Sequence, residues 1–215
     1  PLSSLTALTN LDLSNNPLSD EAFATQIPAL EERGVKVIKP KPPAPTIVTF
    51  EDDSLEAVVR KAINKPEGDI LSTDVAGLKG LNASKKNISS LSGIENLTAL
   101  TRLWLYGNKI SDLSPLSSLT ALTELYLSSN QISDISPLSS LTALEVIRLD
   151  ENKISDLSPL SSLTALRVLD LYNNQTSNLS PLSSLAALTN LYLPQNQISD
   201  LSHLSSLTAL TNLDL

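Results

Sequence analysis

Residues 100–121 read LTRLWLYGNKISDLSPLSSLTA, and at Leu122 the pattern begins again. Leu100, Leu122, Leu144, Leu166, Leu188 and Leu210 each open a unit L-x-x-L-x-L, which sets the period at 22 residues. Five of these units close on an Asn three positions further on: Asn108, Asn130, Asn152, Asn174 and Asn196. The alternation at Leu103 and Leu105 is that of a short strand, because successive strand side chains point to opposite faces. The Asn stands where a tight turn leaves the strand, and Ser114-Pro115-Leu116 starts an irregular return. A unit this short cannot bury its own leucines. Stacked on its neighbours it can, and the Ile of each N-x-I then joins a shared core.

This spacing is that of a leucine-rich repeat. It predicts an α/β fold class: a right-handed leucine-rich-repeat solenoid with parallel strands on the concave face, short turns or 3₁₀ segments on the convex face, and helical caps. Residues 78–215 are the repeats. The first is degenerate, with Leu78, Leu81 and Ala83 on the pattern and Lys86 where later repeats have Asn. Residues 50–77 form an N-terminal-type helical cap. Asp52, Asp53 and Ser54 precede LEAVVRKAINK, whose Leu55, Val58, Val59, Ala62 and Ile63 fall on one helical face, and Ser72-Thr73-Asp74 opens a second short turn. Residues 39–49 are proline-rich and read as a semi-rigid linker of polyproline II character. Residues 1–38 read as a terminal repeat with a C-terminal-type cap: Ser19 or Asp20 starts a helix, Gly34 ends it, and residues 35–38 alternate as a last strand.

Composition narrows the function. The chain has 215 residues, 41% of them hydrophobic and 18% charged, with net charge -8 and no cysteine. Without a Lys/Arg cluster there is nothing to neutralise phosphates or attract an anionic bilayer, so nucleic acid and membrane insertion are not expected. No apolar run approaches the roughly 20 residues of a membrane helix. The start at Pro1, in mid-repeat, leaves room for a signal or anchor outside this stretch. Absence of cysteine removes disulfides and thiolate chemistry and leaves the compartment open.

The unit NxISDLSPLSSLTALTxLxL, with the cap SLEAVVRKAINKPEGDILSTDVAGLKGL before it, closely resembles the internalin-type leucine-rich-repeat proteins of bacteria. The resemblance covers residues 50–215 and, as a terminal repeat with cap, residues 1–39. It implies a protein that recognises a surface receptor and is secreted or held on a bacterial cell surface. The caps occur here in permuted order, end cap before start cap.

What differs between repeats carries the partner. The x residues of L-x-x-L-x-L-x-x-N are displayed together on the sheet face. One column holds Trp104, Tyr126, Arg148, Asp170, Tyr192 and Asp214. Beside it run Arg102, Glu124, Val146, Val168, Asn190 and Asn212, and on the other side Tyr106, Ser128, Asp150, Tyr172 and Pro194. The single Trp and all four Tyr fall on this face, while convex strings such as SPLSSLTAL hardly change. Rigid amphipathic rings among Arg, Asp and Asn are the composition of a protein-recognition surface. Strands favour aromatics for their own sake, and a glycan would use the same strip. The expected partner-binding residues are Arg102, Trp104, Tyr106, Glu124, Tyr126, Arg148, Asp150, Asp170, Tyr172 and Tyr192, with Trp104, Tyr126, Arg148 and Tyr192 solvent-exposed.

Catalysis is not expected, nor any cofactor or metal. Nucleophilic chemistry needs a base beside the nucleophile, and the one histidine, His203, replaces a convex-side proline; Asp150 with Asp170 is the one carboxylate pair conceivable for acid-base work. The recurring Ser-Asp pairs read as turn caps rather than as a cation column. The Asn column reads as a structural hydrogen-bond ladder.

The two ends suggest an alternative role. Residues 2–13 and 204–215 are the same sequence, LSSLTALTNLDL. Leu210, Leu213 and Leu215 lie on an uncovered rung, whereas Leu5, Leu8, Leu11 and Leu13 begin one that carries a cap. Such ends are complementary. A linker spanning about 34 Å when extended barely passes roughly 30 Å of stacked rungs, which favours docking onto a neighbouring chain as a head-to-tail scaffold.

Overall fold

The computed structural model describes residues 6–14, 18, 22–39 and 44–215, which fall into two compact units, Pro1–Pro45 and Thr46–Leu215. In the first unit, β1 (Asn10–Asp12) pairs in parallel with β2 (Lys36–Ile38), and α1 (Ile27–Glu31) lies between them in sequence. Ala22, Ile27, Leu30 and Val35 are its buried apolar residues among those described. Gly34 ends the helix with φ +83°, a conformation costly for any side chain with a Cβ. The last strand of the expected cap is therefore present and adds a rung beside the terminal repeat. The Ser19 or Asp20 helix start, Leu5 and the prolines at 40–43 lie outside the described residues.

The second unit begins earlier than composition indicates. Val48 N–H donates to the Ile70 carbonyl and Ser72 N–H to the Thr46 carbonyl, both at 2.8 Å, and Ile47 bridges Leu71 antiparallel. The last four residues of the stretch read as linker thus join the cap, because Ile47 and Val48 follow the final proline with free N–H groups and Val48 is buried. Helix α2 (Asp53–Ala62) buries Leu55 and Val59, with Val58 and Ile63 packed beside them, on the face that the spacing predicts, although Ala62, expected there too, is exposed. Asp52 caps it, its Oδ1 accepting from Ser54 N–H at 3.0 Å and Leu55 N–H at 3.2 Å. The other oxygen of Asp52 accepts the Ser89 N–H at 2.8 Å, tying the helix start to the first repeat. Burial pushes the Asp52 carboxyl up, but the N–H groups of Ser89, Leu55, Ser90 and Ser54 together outweigh it and hold the group below the usual range. The short α3 (Ser72–Val75) follows.

Seven three-residue strands then form one parallel sheet in sequence order: β3 (Gly80–Asn82), β4 (Arg102–Trp104), β5 (Glu124–Tyr126), β6 (Val146–Arg148), β7 (Val168–Asp170), β8 (Asn190–Tyr192) and β9 (Asn212–Asp214). The register steps by one repeat at every rung, Leu103 opposite Leu125 and Leu125 opposite Ile147. Between strands the chain returns through 3₁₀ turns, such as Ser136–Ser140 and Ser158–Ser162, that start at each Ser-Pro-Leu. Asp134 and Asp156 each accept the N–H of the Ser two residues on, at 2.8 Å, and so cap these turns as their spacing suggests. The leucines and the N-x-I column make one core from Val48 to Leu207.

The Asn column binds rung to rung. Asn130 Oδ1 accepts the Ile110 N–H at 3.0 Å, and its Nδ2 donates at 3.0 Å to the carbonyls of Leu105 and Leu127. Asn108, Asn152, Asn174 and Asn196 repeat this pattern. The residue before each Asn carries the turn in the left-handed region: Gly107 at φ +68°, but also Ser129, Glu151, Asn173 and Gln195. Four side chains accept a conformation that favours glycine, held there by the bonds around them. Among the described residues no helix is long and apolar enough to cross a membrane.

Candidate functional site

Because side chains alternate along β3 to β9, the residues flanking the buried Leu103, Leu125, Ile147, Leu169 and Leu191 are carried to the opposite face of the sheet. Parallel pairing without register shift stacks equivalent positions one rung apart, roughly 4.8 Å. The expected columns are therefore real: Trp104 lies beside Tyr126, Tyr126 beside Arg148, Arg148 beside Asp170 and Asp170 beside Tyr192.

The rings are less open than the sequence reading has them. Trp104, Tyr126, Tyr172 and Tyr192 are half-buried, whereas Arg102 and Arg148 are exposed and Tyr106 is 38% exposed. For Trp104 and Tyr126 stacking is the cause. Trp104 and Tyr126 are nearly parallel, 11° apart, with centroids at 5.7 Å. The indole packs over Gly80 on the preceding rung, where even a Cβ would meet Trp104 Cζ3 only at the ordinary contact distance of 3.7 Å. The guanidinium of Arg102 stands 5.9 Å from the indole centroid. Ring faces so occupied are less free to stack on a sugar, and what they offer is edges, an indole N–H and a phenol.

Polar contacts fix the rest of the strip. Tyr126 donates its hydroxyl to Glu124 at 2.9 Å, and burial followed by that carboxylate raises the phenol above its ordinary range. Ser128 donates to Asp150 at 2.6 Å. Asp170 accepts the Tyr172 N–H at 3.1 Å and pairs with Arg148 at 3.6 Å. Its side chain is 13% exposed against 47% for Arg148. Burial pushes the Asp170 carboxyl up, and the charges of Asp150 and Asp214 add to this against the Tyr172 N–H and Arg148.

The sequence reading misses Lys85, whose ammonium stands 5.4 Å over the Tyr106 ring. It occupies the turn position before the missing Asn of the degenerate repeat, and the only signal is its place one residue beyond the strand columns. Asp150 and Asp170 stand on adjacent rungs, each already engaged as described. Two surface depressions, each of about 510 Å³, open along α2, at Ala57 and Lys61.

Comparison with known proteins bears on this geometry. The profile of Leucine Rich repeats (2 copies) matches residues 77–118, 120–162 and 142–184, and that of a single Leucine Rich Repeat matches residues 7–26. The crystal structure of the internalin InlF from Listeria monocytogenes is similar with 36% identity and a TM-score of 0.77 over 79% of this chain. A leucine-rich-repeat protein of Leptospira interrogans is similar with 28% identity and a TM-score of 0.61 over 66% of this chain. The chain spans about half of the Listeria protein, 52%, and 38% of the Leptospira protein. No curated protein sequence matches significantly.

Proposed function

We propose, for a chain that belongs to the leucine-rich-repeat proteins and within them to the bacterial internalin type, that the concave sheet face binds another protein without catalysis. Leucine-rich-repeat proteins in general mediate protein–protein interaction. The observation that supports this particular face is the contrast between its columns and the convex side. The convex SPLSSLTAL strings repeat almost unchanged, whereas the sheet columns differ at nearly every rung and hold the single Trp and all four Tyr. Arg102, Trp104, Tyr106, Glu124, Tyr126, Arg148, Asp150, Asp170, Tyr172 and Tyr192 are the contact residues in this reading. The half-buried rings are held in place before binding, which lowers the entropy cost of using them as anchors. The internalin resemblance supports a partner outside a bacterial cell. The test is a photo-reactive residue introduced in place of Tyr106 or, on the convex side, of Ser139. Cross-linking of a protein from Tyr106 and not from Ser139 supports the reading; equal cross-linking, or cross-linking from Ser139 alone, refutes it.

A second reading is a head-to-tail scaffold. It rests on residues 2–13 and 204–215 having the same sequence, so that each can supply the kind of rung on which the other stacks. Light scattering over a concentration series, with a variant lacking residues 1–38, decides it: growth of the full chain but not of the variant supports it, and a full chain that stays monomeric refutes it.

A further inference from the structure

The sheet face is not uniform in charge. At its start, Lys85 and Arg102 stand over the rings of Tyr106 and Trp104, and neither belongs to an ion pair among the described residues. Glu124 is the register partner of Arg102, but it receives the Tyr126 hydroxyl. Three rungs further, the balance is reversed. Asp150, Asp170 and, two rungs beyond β7, Asp214 lie along the face, and the one cation paired with any of them among the described residues is Arg148, which reaches Asp170 only at 3.6 Å. Asp170 is also the least exposed of that pair, and its carboxyl is raised by burial and by its acidic neighbours. A bare cation at one end and an excess of carboxylate at the other each lower their energy when an opposite charge is brought to them and water is displaced.

On the reading that this face binds protein, we propose that the partner presents a charge order opposite to that of the solenoid: a carboxylate side chain over Lys85 and Arg102, and a Lys or Arg side chain over Asp150 and Asp170, framed by Tyr172 and Tyr192. From β4 to β7 the distance is three rungs, roughly 14 Å. An extended segment crosses that span with about four to five residues, so a single strand or loop of the partner supplies both ends. Tyrosine beside carboxylate suits an Arg or Lys side chain, whose cation faces the ring while its stem covers apolar surface. A uniformly acidic or uniformly basic partner meets repulsion at one end, which is how such a face excludes wrong partners.

The single tryptophan stands at the cationic end and serves as the reporter. The probe is a synthetic peptide with a run of Glu at one end and a run of Lys at the other, carrying a dansyl acceptor at either end and titrated at low ionic strength. Saturable binding with stronger energy transfer from Trp104 to the label on the acidic end supports the proposal, together with loss of that difference in Asp170→Asn and Arg102→Gln. Equal transfer to the two labels, absence of binding, or equal binding of an all-Glu or all-Lys peptide would overturn it. The cross-linking from Tyr106 tests face binding separately, so a face that cross-links protein yet shows no orientation of the peptide refutes the charge order alone.

Discussion

Asn130→Ala should destabilise the solenoid by about 2 kcal/mol, a figure that follows from what its amide alone satisfies. Four groups lose a bond: the Ile110 N–H and the carbonyls of Leu105, Leu127 and Ser128. The carbonyls keep a partner, because Asn108 Nδ2 still reaches Leu105 at 2.9 Å, Asn152 Nδ2 reaches Leu127 at 3.0 Å and the Gly107 N–H reaches Ser128 at 2.9 Å. The Ile110 N–H keeps none, and Ile110 is fully buried. An unpaired buried donor costs about 1–3 kcal/mol, and three weakened carbonyls move the loss to the middle of that range or above. In a chain of this size the change corresponds to a fall in Tm of about 4–8 °C. Urea unfolding followed by circular dichroism should show a lower midpoint with an unchanged slope. Asn130→Asp separates the two roles of the amide. Its carboxylate still accepts from Ile110 but has no N–H for three carbonyl oxygens, so it should destabilise as well. If both variants keep the wild-type midpoint, other groups or water satisfy the turn and the argument from the ladder fails.

Three further outcomes can be checked by unfolding. Leu125→Ala or Ile147→Ala should cost roughly 2–5 kcal/mol, because each is fully buried between two rungs that cannot collapse around the gap; an unaltered denaturant midpoint would contradict the core. Thr176→Ile should stabilise by about 1 kcal/mol, since Thr176 is fully buried in the column of Ile132 and Ile154 and its hydroxyl reaches only the Ile154 carbonyl at 3.3 Å; a lower Tm would mean the site cannot take the added carbon. Asp52 has a carboxyl lowered on folding, so its contribution is complete above the unfolded value of about 3.9 and is lost as pH falls through the folded value. Asp52→Asn should be less stable than the parent at neutral pH and approach it as pH falls through the lowered folded value, and parallel pH profiles would refute that role.

Much of the fold is legible because one period dictates it. A repeat of constant length fixes strand spacing, direction and register together, and Arg102, Glu124 and Val146 fall in line without further information. The columns of the face follow from alternation alone. What the sequence hides are interactions set by more than one residue at a distance. Trp104 packs over Gly80 and stacks on Tyr126, and Lys85 reaches Tyr106 across a full repeat. Residues 46–49 look like linker until their N–H and carbonyl groups meet residues 70–72. The left-handed turn residue is equally hidden, because Ser129 and Glu151 carry no glycine-like signal and are held in place by the Asn that follows.

The most direct measurement of the central claim is the affinity of the Trp104→Ala, Tyr126→Ala double variant for the protein that cross-links at Tyr106. The two rings stack on each other, so their losses overlap rather than add. The account predicts that affinity falls by at least about 30-fold, the equivalent of one anchor of about 2 kcal/mol, with the fold intact by circular dichroism. An affinity equal to that of the parent chain would contradict it.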